Sequence, residues 1–124
     1  MTSALLVLAG LMGVFGVGLA AAVAHGTSAS GLDSAAYLLL FHATAVLAIA
    51  SLARQELLWR PLGLGAMACF VAGGALFAGD VSMRAFAGHR LFPMAAPTGG
   101  TLLILGWLVL TAAAVVAMAA AHDR

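Results

Sequence analysis

Imidazoles and carboxylates are the groups in this chain best suited to bind a metal or move a proton, and they are few: four His and four Asp or Glu in 124 residues. His42 falls within an apolar stretch, among Leu38, Leu39, Leu40, Phe41 and Val46, and Asp80 follows Pro61 by nineteen residues. His25 and Asp33 stand at the ends of neighbouring stretches, and Arg84 lies four residues beyond Asp80. Two imidazoles and a carboxylate meeting in a low-dielectric setting could form a ligand, metal or proton site. The reading the residues favour is a structural knot, with neutral His42 bonded to a backbone carbonyl, Thr44 or Asp80 across helices. A haem between His25 and His42 is disfavoured: their depths differ by most of ~10 Å at helical rise, whereas axial imidazoles must lie level on either side of the iron. Asp80 and Arg84 are spaced for an i,i+4 ion pair near the edge of a span, and the alternative is that Asp80 meets a polar group of another helix.

Other chemistry is scarcer. There is no Walker loop, dinucleotide Gly fingerprint, CxxC or HExxH, and no nucleophile sits beside a base at helical spacing, so no enzymatic activity and no cofactor is expected. Cys69 is the only cysteine, lies in an apolar stretch and reads as a small hydrophobe. With no lysine and a net charge of +1, the chain lacks a basic run able to follow a phosphate backbone, and nucleic acid is excluded as a partner.

The elements that position these groups follow from composition. Hydrophobic residues make up 65% of the chain and charged residues 7%, with a mean hydropathy of +1.16, against ~25% charged in a soluble domain. Nine charged side chains cannot cover a soluble core of this size. The solvent must be a bilayer. A helix needs ~20 apolar residues to cross it, and four segments qualify, at about 3–24, 35–53, 61–83 and 99–121. The short links between them predict an all-α membrane protein, a single domain of four transmembrane helices in an up-down-up-down antiparallel bundle. Gly26 and Gly88 stand where left-handed C-caps are expected, Asp33 or Ser34 is placed to cap the second span, and Pro61 suits the first turn of the third. Pro93 and Pro97 predict an interfacial loop over 91–98. Ala22-Val23-Ala24 has the form of a signal cleavage site, but no Lys or Arg precedes the first span, so it is expected to stay in place.

Arg54, Arg60 and Arg124 fall on the side of the two termini and Arg84 and Arg90 on the other, a bias that puts both termini in the cytoplasm. His25, Asp33, His42 and Asp80 then share the outer half. Trp59 reads as an interface anchor and Trp107 as a packed aromatic. In lipid, helices associate through small residues. Gly13 and Gly16 on the first span, and Gly65 and Gly73 on the third, carry such four-residue spacings together with Ala9, Ala20, Ala24 and Cys69. That surface exceeds what a bundle of this size requires internally, so other membrane-protein subunits, or a second copy of the chain, are the expected partners alongside the lipid.

Several segments carry a family resemblance. Gly16-Val17-Gly18 through His25-Gly26, Tyr37-Leu38-Leu39-Leu40-Phe41-His42-Ala43, Leu76-Phe77-Ala78-Gly79-Asp80, Pro97-Thr98-Gly99-Gly100 and Leu105-Gly106-Trp107 span nearly the whole chain. In these the sequence resembles domain-of-unknown-function family 423, small bacterial membrane proteins whose eukaryotic relatives resemble transmembrane protein 256. His25 and His42 match that pattern position by position, whereas Ala22-Val23-Ala24 and Asp80 depart from it; a serine usually stands at the Asp80 position. The resemblance implies a four-helix inner-membrane protein and no established activity. Two functions follow as expectations: a non-catalytic accessory subunit or assembly factor of a larger membrane complex, or a binder or conductor of a proton, metal ion, haem or quinone through His25, His42 and Asp80.

Overall fold

The computed structural model describes residues 1–122, and there the chain forms four helices: α1 Thr2–Ala24, α2 Leu32–Arg54, α3 Arg60–Ala87 and α4 Ala95–His122. Among the described residues there is no strand. Each helix is long and apolar enough to cross a membrane. At 1.5 Å per residue α1 and α2 extend ~35 Å and α3 and α4 ~42 Å, against a hydrocarbon core of ~30 Å, so the longer pair must tilt or emerge from it. Arg124, one of the residues in the arginine bias, lies outside the described residues.

The helix ends show where local chemistry and packing agree and where packing wins. α1 closes in a Schellman turn, with the Thr27 amide donating to the Ala22 carbonyl and the Gly26 amide to that of Val23, both at 3.1 Å, and Gly26 at φ 100°. Gly88, at φ 73°, ends α3, and Pro61 sits in the first turn of that helix. α2 starts at Leu32, three residues earlier than expected, and its N-cap is Gly31 (φ 84°), not Asp33 or Ser34. Leu32 is fully buried in the core, so burying its side chain extends the helix past both polar residues. Asp33 instead lies in the first turn, where its charge favours the helix dipole. α4 likewise begins at Ala95, four residues early. Pro97 is accommodated in its first turn, where the missing N–H has no intrahelical acceptor to lose. The link is therefore shorter than 91–98 and turns at Met94, a non-glycine residue at φ 69°.

α3 is the hub: it packs on α4, on α2 and, more lightly, on α1, while α1 also packs on α2. Among the described residues, α4 shares no packed seam with α1 or α2. Along the α3–α4 seam contact positions fall on one helix as they rise on the other, from Gly73 with Gly99, through Phe70 with Gly106 and Gly65 with Val109, to the Trp59 amide with the Ala113 carbonyl at 3.0 Å. This seam is tight because two glycines let the backbones meet: a Cβ on Gly99 would lie 2.6 Å from the Phe77 nitrogen and 2.7 Å from the Gly73 oxygen. The core divides into two clusters. One holds Val46, Ile49, Met67, Phe70 and Leu103, and the other Met12, Leu32, Leu39, Ala78 and Val81.

Candidate functional site

His42 lies on the inner face of α2 and is 4% exposed. Its Nδ1 is 2.7 Å from the Leu38 carbonyl oxygen one turn earlier, and its Nε2 is 3.1 Å from Nε1 of Trp107 on α4. Chemistry fixes the proton. A carbonyl can only accept and an indole N–H can only donate, so Nδ1 carries the hydrogen and Nε2 presents its lone pair to Trp107. Phe70 of α3, fully buried, fills the angle between the two rings, with centroids 4.9 Å from His42 and 5.0 Å from Trp107. Gly106 makes this possible, since a Cβ there would stand 2.5 Å from the Phe70 ring. Trp107 is half exposed (49%), with its N–H directed inward. One side-chain hydrogen bond thus links α2 to α4, two helices that share no backbone seam.

Asp80 is 2% exposed and engages different partners. Its Oδ1 accepts the Leu91 amide at 2.9 Å, and its Oδ2 pairs with the Arg84 Nε at 3.2 Å. Arg84 is 43% exposed on its side chain, so it carries its charge outward while covering the carboxylate. The expected i,i+4 pair is therefore present, and the second contact is a loop amide rather than a polar group of another helix. Asp80 fastens the link after α3 back onto α3, and Leu91 comes to rest against Gly79, 3.7 Å from where its Cβ would be.

The remaining candidates do not join these two. His25, the C-cap of α1, is exposed, and its imidazole has no hydrogen-bond partner among the described residues. Asp33 is exposed, and its Oδ1 accepts the amide of Ser34 at 2.8 Å. Among the described residues no group of three His, Cys, Asp or Glu side chains is arranged to hold a metal ion. For His42 to ligate anything, Nε2 must first release Trp107. No buried side-chain nitrogen or oxygen among the described residues lacks a partner. Three exposed hydroxyls are satisfied within their own helices as well: Thr101 and Thr111 donate to carbonyls four residues back and Thr44 to that of Phe41.

The glycines separate as well. Gly16 lies under α2, where a Cβ would be 2.8 Å from Leu40, and Gly73 lies in the α3–α4 crossing. Gly65 has only ordinary contact space toward Val109, and Gly13 faces open space. Sequence spacing does not predict the close approaches at Gly99 and Gly106, because a spacing of four marks small residues but not which helix they meet. Position eight residues inside the last span predicts packing alone for Trp107. A donor–acceptor inventory holds the signal for its other role: the last span has one indole N–H, and the second has one imidazole that must find a partner.

A small four-helix membrane protein with its buried polar groups bonded internally is the class these features define. The chain belongs to the family described as "Protein of unknown function (DUF423)", whose model matches residues 13–100. It is also 34% identical over 112 residues to the "UPF0382 membrane protein" of Haemophilus influenzae (strain ATCC 51907 / DSM 11121 / KW20 / Rd), covering 85% of this chain and 88% of that protein. No solved structure matches.

Proposed function

We propose that the protein is a non-enzymatic component of the inner membrane, an accessory subunit or assembly factor that works by pairing with other membrane-protein subunits. The observation that carries this reading is that the polar groups are already in use: both nitrogens of His42 and both oxygens of Asp80 are held by the protein's own backbone and side chains. A ligand site at His25, His42 and Asp80 would have to break those bonds and gather residues that stand apart. What remains free is surface. The outward faces of α1 and α4 are apolar, with Val14, Phe15, Ile104 and Leu108 all exposed, and Gly10, Gly13 and Gly18 have open space for the close approach of another helix. In this reading the helices cross up-down-up-down with both termini in the cytoplasm, consistent with the contact order along the α3–α4 seam and the arginine bias.

The test is a photo-crosslinking side chain placed at Val14 or at Ile104 in native membranes. A discrete adduct to the same second chain, reproducible across preparations, is the expected result. Adducts to lipid alone from both positions would overturn the proposal.

A further inference from the structure

A partly open cavity of about 1110 Å³ lies at the end of the bundle where α1 begins and α4 runs out. It lies between the start of α1, the turn from α2 to α3 and the last turns of α4, where Ala117 and Ala120 form a wall. Two features mark what it would hold. Arg54 at the end of α2 and Arg60 at the start of α3 both line it, against one acid, Glu56; neither arginine has an ion pair among the described residues, and both are exposed. Below them the lining turns apolar, with Leu6, Leu47, Leu64 and Met67. Because α1 and α4 do not pack on each other, the apolar part is not closed by a helix seam on that side. Trp59, a residue type that favours the headgroup level, lies on the rim.

We propose that this cavity binds an anionic phospholipid, its phosphate between Arg54 and Arg60 and an acyl chain along the apolar floor toward the gap between α1 and α4. The charge balance and the wet-above, dry-below lining select this class: a zwitterionic lipid brings a cation that two arginines repel, and a free anion leaves the apolar floor uncovered. Basic pockets between transmembrane helices recognise anionic headgroups in this way.

The experiment is native mass spectrometry of the full chain in mild detergent, titrated with phosphatidylglycerol or with phosphatidylcholine of identical acyl chains. Preferential, saturable binding of phosphatidylglycerol is expected, weakened roughly thirtyfold in the R54Q/R60Q double variant, since each basic residue near a lipid surface strengthens binding several-fold. A second variant, S51W, keeps both arginines but projects an indole into the cavity, and it should weaken lipid binding while its helical circular dichroism stays that of the wild type. Equal binding of the two lipids, or unchanged binding in both variants, would overturn the proposal. So would displacement of phosphatidylglycerol by millimolar inorganic phosphate, which would make the cavity a site for free anions.

Discussion

Gly99 and Gly100 are neighbours on α4 with opposite surroundings, and replacing each by alanine separates packing from helix propensity. At Gly99 an added Cβ would meet backbone atoms of α3, 2.6 Å from the Phe77 nitrogen and 2.7 Å from the Gly73 oxygen, whereas at Gly100 it would meet nothing within 4 Å. Backbone cannot swing aside as a side chain can, so α3 and α4 must part. Restoring ordinary contact, which begins near 3.4 Å, requires a shift of about 0.8 Å, and a gap of that size forfeits a quarter to a half of each dispersion contact along the seam. Overpacking of this kind costs about 1–3 kcal/mol. Both substitutions gain up to ~1 kcal/mol of intrinsic helix propensity, so that contribution cancels in the comparison. G99A should therefore be less stable than G100A by about 1–3 kcal/mol, read as the difference in unfolding midpoint when each variant is titrated with SDS in the same micelles and followed by circular dichroism. G100A itself should equal or slightly exceed the wild type. If G99A unfolds with or after G100A, the close α3–α4 crossing is not the seam that holds these helices.

Three further outcomes follow from named contacts. In a double-mutant cycle of H42L and W107F, the coupling energy should be about 0.6 kcal/mol and no more than ~1.7, the range for hydrogen bonds between membrane helices, and strict additivity would mean that His42 and Trp107 do not bond. D80A leaves the Leu91 amide without its acceptor and should destabilise the fold by about 1–3 kcal/mol, while D80N, which keeps an oxygen for that amide, should lose less; equal losses in SDS unfolding would show that Oδ1 does not hold the loop. Glu56 stands at φ 60° in the turn that ends α2, where the Leu57 amide reaches the Leu52 carbonyl. E56G should raise stability by up to ~1 kcal/mol by relieving the left-handed strain, and a lowered midpoint would argue against that backbone conformation.

The fold was legible because one constraint dominates it. Runs of ~20 apolar residues in a chain with so few charges leave the backbone no economical alternative to spanning helices, and Gly26, Pro61 and Gly88 marked ends through local sterics alone. Boundaries slipped where tertiary burial competed with capping: Leu32 drew the start of α2 past Asp33, and the first turn of α4 absorbed Pro97 because it lacks the hydrogen bond proline would break. The candidate site was legible in part. Spacing alone was enough to place Arg84 beside Asp80, since the i,i+4 relation lies within one helix. The partners of His42 and the second partner of Asp80 depend on how helices and loops lie against one another, which no spacing within a single helix encodes. For the same reason four residues converging in one half by depth, His25, Asp33, His42 and Asp80, became two separate bonded pairs and two exposed groups. Gly13 illustrates the limit from the other side: its four-residue spacing from Ala9 is present, but Ala9 is buried in the core while a Cβ on Gly13 would meet only open space.

Native mass spectrometry of the protein released from its own membrane in mild detergent decides between a component that acts through its surfaces and one that acts through its histidines. A discrete assembly with at least one further membrane chain, and no metal, haem or quinone mass that depends on His42, is the expected result. A lone chain or homo-oligomer carrying such a mass, lost when His42 is replaced by leucine, would contradict it.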